Sequence, residues 1–261
     1  MGKGGEFPIG VCAPGPLDPR TGVVLNPPNV PCWRNFPLAT EIERRYGVLA
    51  KVDNDGNAAA LAESLWGAGR GYGNVFYGCI GTGVGSGIIL GRKIFHGRTG
   101  SAAEGGHVSI DFRGPRCNCG KKGCIEALAS GTAIARRARE AIAVNAKRGD
   151  TLLRLAGDDA ALIRSETVAR AARDGDELAR EILSETVEYL AVWLGNIVDL
   201  LEPEILILGG GVGEMLRPHF AEIQERMKSW CVNARYGEIP LVAAHYGEHS
   251  GIAGGAALCC E

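Results

Sequence analysis

"EGGHVSIDFRGPRCNCGKKGCIEA", residues 104–127, is the stretch of this sequence that decides the fold. It places one histidine and three cysteines among glycines, lysines and arginines, with a glutamate close to each end. Apolar residues are too few here to stabilise the segment by hydrophobic burial alone. Another kind of interaction must therefore hold it in a defined shape.

A metal ion is the interaction that these residue types favour. His107, Cys117, Cys119 and Cys124 all lie within the span 107–124. Structural zinc takes four tetrahedral thiolate and imidazole ligands, and short cysteine spacings allow one loop to supply several of them. The pattern predicts a structural zinc site on these four side chains, and reduced thiols in a surface loop are the alternative. Four ligands leave no open position, so we expect the zinc to shape the loop and not to catalyse.

Two acidic residues flank the predicted zinc ligands. Glu104 precedes His107 by three residues, and Glu126 follows Cys124 by two. Carboxylates held by a metal-bound loop accept hydrogen bonds from a polyol without the entropy loss that flexible side chains incur. We predict that Glu104 and Glu126 bind a hydroxyl-rich ligand, and two solvated surface acids are the alternative.

The composition of the chain limits its partners. The 261 residues, 46% of them hydrophobic, are enough for one large domain or two smaller ones. The 28 basic and 30 acidic residues are interspersed and give a formal net charge of -2, which predicts neither nucleic-acid nor membrane binding. No apolar run resembles a signal peptide or approaches the roughly 20 residues of a membrane helix. We therefore expect a cytoplasmic protein with reduced thiols and a small-molecule partner.

Helical and extended patterns alternate along the chain in the order of an α/β fold. A strand at "FPIGVCA", a helix at "PLATEIERRYG" and a strand at "VLAKVDND" come first, and Asn57 is the predicted N-cap of the next helix. A strand-rich region follows at residues 74–97, and a long helix is expected from Asp176 to about Leu200. A buried strand, a further strand and a helix of small residues end the chain. The order predicts a parallel sheet with a strand-rich insertion.

Two glycine-rich segments follow buried strands. "GTGVGSG", residues 81–87, has no helix after it, so it is not a dinucleotide-binding turn of the Rossmann type. Glycines in a hairpin instead bring backbone N–H groups close to phosphate, and the alternative is a hairpin without a ligand. Gly209, Gly210 and Gly211 follow a buried strand at the place where open α/β sheets bind ligands, and close packing is the alternative.

"EGGH" followed by "CNCGKKGCIE" resembles the signature of the ROK family of repressors, open reading frames and kinases, which includes bacterial-type glucokinases. Four further stretches resemble family segments in the expected order: "PGPLDPRTGVVLNPPNVPCW", "VDNDGNAAALAE", "GTGVGSGIILGRKIFHG" and "PEILILGGGV". The resemblance implies an α/β, ribonuclease H-like (actin-like ATPase) two-lobed sugar kinase fold. It also implies a small lobe at 1–73 with 247–261 and a large lobe at 74–246, which contains the zinc-binding loop 107–124.

The resemblance implies roles for individual residues. Asp55 would act as the general base that takes the proton of a sugar hydroxyl, although Asp-Gly is also a common turn dipeptide. The residues implied for sugar binding are Asn29, Asn54, Asp55, Glu104, His107 and Glu126. His107 would bind zinc through one ring nitrogen and the sugar through the other. The residues implied for ATP, which would bind with Mg²⁺, are Gly81, Thr82, Gly83, Gly209, Gly210 and Gly211.

The activity implied by the resemblance is ATP-dependent phosphorylation of a hexose at its 6-hydroxyl, as in a glucokinase. Family kinases carry an Asp-x-Gly-Gly-Thr turn for the ATP phosphates, and this sequence contains none. We therefore expect an incomplete first lobe and slowed phosphoryl transfer. The alternatives are a non-catalytic sugar-binding or regulatory protein, or an N-acylhexosamine kinase. The winged helix-turn-helix pattern of family repressors does not occur either, so DNA binding is not expected, and the resemblance implies a homodimer or homotetramer.

Overall fold

The computed structural model describes residues 7–27 and 30–260 of the chain. Asn29, which the resemblance implicates in sugar binding, lies outside the described residues. Among the described helices, none is both long enough and apolar enough to cross a bilayer.

A parallel strand pair opens the described chain. The first elements are β1 (Ile9–Ala13), β2 (Leu17–Asp18), β3 (Val23–Val24), α1 (Leu38–Tyr46) and β4 (Ala50–Asn54). β1 and β4 run parallel with α1 in the connection between them, and β2 and β3 form a short antiparallel hairpin. α1 ends at Gly47, whose left-handed backbone (φ 72°) is the conformation that glycine adopts at a helix C-terminus. The predicted order of strand, helix and strand is confirmed here.

Helix α2 (Asp55–Trp66) begins directly where β4 ends. Asn54 caps it, because its backbone is extended and its side-chain oxygen accepts a backbone N–H of the first helical turn at 2.9 Å. The prediction of Asn57 as the N-cap is wrong: Asn57 is buried inside the helix, where its amide donates to Asp53 at 3.0 Å. Since a cap needs extended backbone, the cap is the last residue of the strand. Asp55 therefore takes the first helical position at the carboxyl end of a parallel strand.

A mixed sheet and its helices form the rest of the chain. The elements are β5 (Val75–Ile80), β6 (Val84–Leu90), β7 (Lys93–Ile94), α3 (Ile125–Ala129), α4 (Gly131–Val144), α5 (Asp150–Leu155), α6 (Ser165–Arg173), α7 (Glu177–Leu201), β8 (Ile205–Gly209), α8 (Gly210–Leu216), α9 (Phe220–Arg226), β9 (Leu241–Ala243) and α10 (Ser250–Leu258). Within the described residues the strand order is β7-β6-β5-β8-β9, with β5, β8 and β9 parallel and β6 antiparallel to β5 and β7.

The two faces of this sheet bury different helices. Leu206 and Leu208 of β8 pack into a core with α3 to α9, whereas Ile205 and Ile207 pack with α2 and α10. Successive residues of a strand point to opposite faces, so a continuous apolar strand marks a sheet that is covered on both sides. The apolar run before the three glycines is therefore buried between two layers of helices.

Helix α7 matches the long helix predicted from Asp176. Asp176 is its N-cap and accepts the Ala179 N–H at 2.8 Å. Trp193 of α7 is fully buried and packs edge-on against Phe76 of β5, with ring centroids 5.3 Å apart. Its indole N–H donates to the Gly105 carbonyl oxygen at 3.1 Å. α7 thereby ties the sheet to the segment that precedes His107.

Helix α10 joins the end of the described chain to its beginning. A Cβ atom at Gly10 of β1 would lie 1.8 Å from the Gly255 carbonyl oxygen of α10. A Cβ atom at Gly254 would lie 2.9 Å from the backbone and the side chain of Ala58 in α2. The small residues of α10 are therefore what allow it to pack so closely. The division into lobes at 1–73 with 247–261 and 74–246 stays a prediction.

Candidate functional site

A cavity of about 470 Å³ opens where the junction of β4 and α2 faces the loop at residues 100–107. Its wall includes Asn54, Asp55, Glu104 and His107, four of the residues implied for sugar binding. These residues come from separate parts of the sequence, and the strand end and the loop bring them together. We call this space the Asp55–His107 cavity.

A neighbouring cavity of about 430 Å³ also has Asp55 on its wall. Gly81, Thr82 and Gly83 of the β5–β6 turn line it, as does Glu126 of α3. We call this space the hairpin cavity. The structure thus places Glu126 beside the turn and not on the wall that Glu104 lines. Asp55 therefore borders the cavity that Asn54, Glu104 and His107 line on one side and a glycine turn on the other.

Two partly buried thiols lie near Asp55. Burial, followed by the negative charges of Asp55 and Asp53, raises the pKa of Cys12 to about 11. Burial also raises the pKa of Cys79, and the charge of Asp55 adds to the effect. Both thiols are uncharged at neutral pH, so they add no negative charge near Asp55. The Asp55 carboxylate accepts the Gly56 N–H at 2.8 Å, at a helix N-terminus whose dipole favours a negative charge.

Glu104 is held by contacts on both sides of it in the chain. The hydroxyl of buried Ser86 donates to the Ala103 carbonyl oxygen at 2.6 Å and accepts the Gly105 N–H at 2.9 Å. Ala103 has a left-handed backbone (φ 64°), which residues other than glycine rarely adopt. These bonds therefore stabilise a strained turn immediately before Glu104. Sequence reasoning missed Ser86, although it is the one polar side chain of β6.

The four residues predicted to bind zinc form one cluster. The ligand atoms of His107, Cys117, Cys119 and Cys124 all lie within 4.8 Å of one another. The Sγ atoms of Cys119 and Cys124 are 3.6 Å apart, and the Cys117 Sγ is 3.6 Å from the His107 Nδ1. Around a tetrahedral zinc ion with Zn–S bonds of about 2.3 Å, two sulfur ligands are about 3.8 Å apart. The donor set and its spacing fit a structural zinc ion.

Backbone turns bring these ligands together. The Cys117 N–H donates to the Lys121 carbonyl oxygen at 2.8 Å, and the Gly120 N–H donates back to the Cys117 carbonyl oxygen at 2.9 Å. Gly123 has a left-handed backbone (φ 65°), and a Cβ atom there would lie 1.5 Å from the Asp111 carbonyl oxygen. Glycine is therefore required immediately before Cys124.

The thiols of the cluster differ in pKa. Burial raises the pKa of Cys117 to about 12 and also raises that of Cys124. Burial acts in the same direction on Cys119, but hydrogen bonds from the Lys121 N–H and from the neighbouring thiols outweigh it and lower the pKa. A divalent cation at the centre would favour the thiolate form of all three.

Glu126 links this cluster to the β5–β6 turn. One carboxylate oxygen accepts the Val84 N–H at 3.1 Å. The other lies 3.6 Å from the Cys117 Sγ and 3.9 Å from the His107 Nδ1. A single carboxylate therefore connects the shape of the cysteine loop to the position of the glycine turn.

A third cavity, of about 510 Å³, lies at the N-terminal end of α4, and we call it the α4 cavity. Gly81, Thr82 and Gly211 are on its wall, together with Thr132 of α4. The Thr132 hydroxyl donates to the Thr82 carbonyl oxygen at 2.8 Å and so fixes the turn to the helix. This volume is in the range of nucleotide and cofactor sites.

The other two glycines, at the end of β8 and the start of α8, serve close packing. A Cβ atom at Gly209 would lie 2.8 Å from the Tyr77 hydroxyl oxygen. Gly210 has a left-handed backbone (φ 81°), and a Cβ atom there would lie 2.4 Å from the Ile80 carbonyl oxygen. Of the three glycines implied for ATP at this strand end, Gly211 is therefore the one that the structure places on the cavity wall.

The sequence model of the ROK family matches residues 3–261 of the chain. The chain belongs to the ROK family. One relative is the glucokinase of Thermotoga maritima, which is 36% identical over 262 residues in an alignment that covers 100% of this chain and 82% of the relative.

Solved structures of the ROK family resemble this chain closely. The ROK family glucokinase from Streptomyces griseus, in complex with glucose and AMPPNP, matches with a TM-score of 0.84 and 34% identity over 95% of this chain and 80% of that one. A ROK family transcriptional regulator, a homolog of the E. coli MLC protein, matches with a TM-score of 0.82 and 30% identity over 94% of this chain and 60% of that one. The prediction of the actin-like ROK sugar kinase fold is confirmed.

Proposed function

We propose that this ROK protein transfers the γ-phosphoryl group of ATP to the 6-hydroxyl of a hexose, as a glucokinase does. The observation that carries the proposal is the position of Asp55, on the wall of both the Asp55–His107 cavity and the hairpin cavity. A carboxylate between a sugar and a nucleotide phosphate is what a general base for this reaction requires. The glucokinase relative and the glucose-bound neighbour support the choice of a hexose.

The Asp55–His107 cavity would hold the sugar. Asn54 offers an amide, Glu104 a carboxylate and His107 an imidazole N–H, and hexose hydroxyl groups donate and accept hydrogen bonds. Each of these side chains is held by an element that does not depend on the sugar: the α2 N-terminus, the Ser86 contacts or the cysteine loop. Such preorganisation lowers the entropy lost on binding.

Asp55 would take the proton of the 6-hydroxyl as the hydroxyl oxygen attacks the γ-phosphorus of ATP. A new O–P bond forms to the sugar, and the bond between the γ-phosphorus and the β-γ bridging oxygen breaks to release ADP. Magnesium would enter with ATP and offset the charge of the phosphates. Since phosphoryl transfer depends mainly on positioning and on charge stabilisation, one carboxylate is sufficient as the base.

The α4 cavity would hold the nucleotide, with the phosphates directed toward the β5–β6 turn. Gly81 and Thr82 lie on the wall of both this cavity and the hairpin cavity, so the two cavities are adjacent. Arg139 and Arg164 add positive charge to the same wall. Backbone N–H groups of a glycine turn and arginine side chains are common partners of phosphate.

Zinc would be held by His107, Cys117, Cys119 and Cys124, and it would supply a fixed positive charge that stabilises the loop. The His107 Nδ1 faces the cysteines, while the residue also lies on the wall of the Asp55–His107 cavity. The Nε2–H is therefore the group available to the sugar. In this proposal the metal orients His107 and takes no part in phosphoryl transfer.

The test is Asp55→Asn, with Asp174→Asn as the matched control because Asp174 is exposed between α6 and α7. We expect Asp55→Asn to retain glucose binding in calorimetry and to lose about a hundredfold or more of ADP production in a coupled assay. Asp174→Asn should keep both glucose binding and ADP production at the parent level. An Asp55→Asn protein that phosphorylates glucose at the parent rate would refute the role of Asp55.

A regulatory, non-catalytic sugar-binding protein is the second candidate, because the chain also resembles a ROK transcriptional regulator at 30% identity. The same assays distinguish the two. Hexose binding without ATP consumption favours the regulator, and turnover excludes it. An N-acetylated hexosamine offered beside glucose tests the N-acylhexosamine kinase alternative, which requires preference for the acylated sugar.

A further inference from the structure

Asp53 is a buried carboxylate two residues before Asp55, and the proposed reaction gives it no task. It is 3% exposed, at the end of β4. One of its oxygens accepts the Asn54 N–H at 2.7 Å and the Asn57 side-chain amide at 3.0 Å. The other lies 2.5 Å from the Nε2 of His96. A carboxylate this deeply buried is stable only when such partners compensate for the loss of water.

His96 begins the loop that forms one wall of the Asp55–His107 cavity. The loop runs from the end of β7 to Glu104, and its residues 100–104 line the cavity. The carbonyl oxygen of His96 accepts the Ala102 N–H at 3.2 Å, so His96 also closes the turn from which the wall continues. The side chain of His96 is 31% exposed and is not among the residues that line the cavity.

Asp53 therefore joins two parts of the proposed sugar site that the sequence keeps apart. On one side its contacts with Asn54 and Asn57 fix the start of α2, where Asp55 lies. On the other side its contact with His96 fixes the start of the loop that ends at Glu104. The far end of that loop is already fixed by Ser86. With the His96 contact, both ends of the loop are attached to the strands beneath it.

We propose that His96 is a positioning residue of the sugar site: through Asp53 it holds the loop 96–104 against the junction that carries Asp55. The geometry, a buried carboxylate shared by that junction and the loop, is what carries the inference. It rests on the proposed function in one respect, namely that the cavity takes a hexose. Glu104 and Asp55 then face the same ligand at a fixed separation, and phosphoryl transfer is sensitive to errors in such a separation.

The test compares His96→Ala with His96→Gln, whose side-chain amide can donate from nearly the position of the His96 Nε2. His219→Ala is the control, because His219 is a partly exposed histidine of another segment whose Nδ1 lies 3.3 Å from a carboxylate oxygen of Glu222. Calorimetry gives the dissociation constant for glucose, and a coupled assay gives kcat and the KM values for glucose and ATP. The zinc content and the amide hydrogen exchange of peptides that cover 96–104 are measured on the same proteins.

We expect His96→Ala to weaken glucose binding by about tenfold to a hundredfold. Glucose must then order a loop that is no longer held by a hydrogen bond to a charged group, and the energy of such a bond corresponds to this range. The KM for glucose should rise with the dissociation constant, while the KM for ATP and the zinc content stay at the parent values. Exchange in 96–104 should become faster. His96→Gln should recover most of the glucose affinity and of the protection, and His219→Ala should behave as the parent.

Parent-like glucose affinity and parent-like exchange in His96→Ala would overturn the proposal. A His96→Gln protein no better than His96→Ala would overturn it too, because the hydrogen bond would then not be the cause. If the parent protein binds no hexose, the proposed function fails separately. In that case faster exchange of 96–104 in His96→Ala still supports the attachment of the loop, and unchanged exchange overturns it.

Discussion

Asp55 combines two conditions that a general base needs in one position. It is the first residue of a helix, so backbone N–H groups and the helix dipole stabilise its charge. It also borders two cavities, the ones in which the hexose and the phosphates are proposed to bind. The residue alone, read as Asp-Gly, is equally typical of a turn. Only the strand that ends immediately before it distinguishes the two interpretations.

The thiol of Cys12 reports on the charge of Asp55. Burial and then the charge of Asp55 raise the pKa of Cys12 to about 11, so the reactive thiolate is scarce at neutral pH. Alkylation of Cys12 by iodoacetamide should therefore accelerate about tenfold per pH unit between pH 7 and pH 10. Asp55→Asn removes a negative charge, lowers the pKa and should speed the reaction severalfold at pH 8. Peptide mass spectrometry measures the rate.

Asp174→Asn is again the control, because it removes a negative charge from an exposed position. Its Cys12 should react at the parent rate. Equal rates in the parent and in Asp55→Asn across this pH range would show that the Asp55 charge does not act on Cys12, and hence that the carboxylate lies elsewhere in solution.

At the scale of single elements, the cysteine loop shows which features can be predicted from the sequence. The four residues predicted to bind zinc are close together in the chain, so their spacing alone predicts the cluster that the structure forms. The N-cap of α7 at Asp176 can also be predicted, because it too is a contact between residues close together in the chain. The contact between Asp53 and His96 cannot be predicted, because it joins residues 43 positions apart, and no local pattern marks it.

The N-cap of α2 was predicted wrongly for a different physical reason. Asn54 and Asn57 are both suitable cap residues, and the choice between them depends on where β4 stops. Strand length is set by the pairing of β4 with β1, which ends with Ala13 opposite Asn54. The pairing of β4 with β1 therefore determines which residue caps α2. Ser86 was missed likewise, since its two hydrogen bonds reach a loop that is distant in sequence.

Removal of one zinc ligand should loosen this loop as a unit. The parent protein is expected to carry one zinc ion per chain, and Cys119→Ser should lose it, because structural zinc in small peptides contributes roughly 10–16 kcal/mol of apparent binding energy. The loss should weaken glucose binding, since His107 lies on the wall of the Asp55–His107 cavity and contacts Cys117 of the loop. Metal analysis and calorimetry measure the two effects.

Cys32→Ser is the control for that experiment, because Cys32 is an exposed thiol outside the loop. It should keep both zinc and glucose binding. A parent protein purified without zinc in the absence of chelators would contradict the metal assignment, and parent-like zinc content in Cys119→Ser would remove Cys119 from the ligand set.

At the scale of the whole molecule, the order of strands and helices predicts an α/β fold, and the family resemblance groups residues 1–73 with 247–261. Neither shows which atoms of these two segments are in contact. α10 packs on β1 and α2, next to the junction that carries Asp55. Cys259 donates from its thiol to the Pro8 carbonyl oxygen at 3.0 Å, and Cys12 donates to that of Gly251 at 3.2 Å. Contacts between such distant residues leave no periodic signal in sequence.

The packing of α10 against β1 gives the last prediction. Gly10→Ala would place a methyl group 1.8 Å from the Gly255 carbonyl oxygen, so β1 and α10 must move apart. Overpacking of this kind costs about 1–3 kcal/mol, and we expect the free energy of unfolding to fall by that amount in urea titrations. Gly237→Ala is the matched control, because no atom lies within 4 Å of its added Cβ. If Gly10→Ala is as stable as Gly237→Ala, β1 and α10 are not in contact in solution, and the support of the Asp55 junction by α10 must be abandoned.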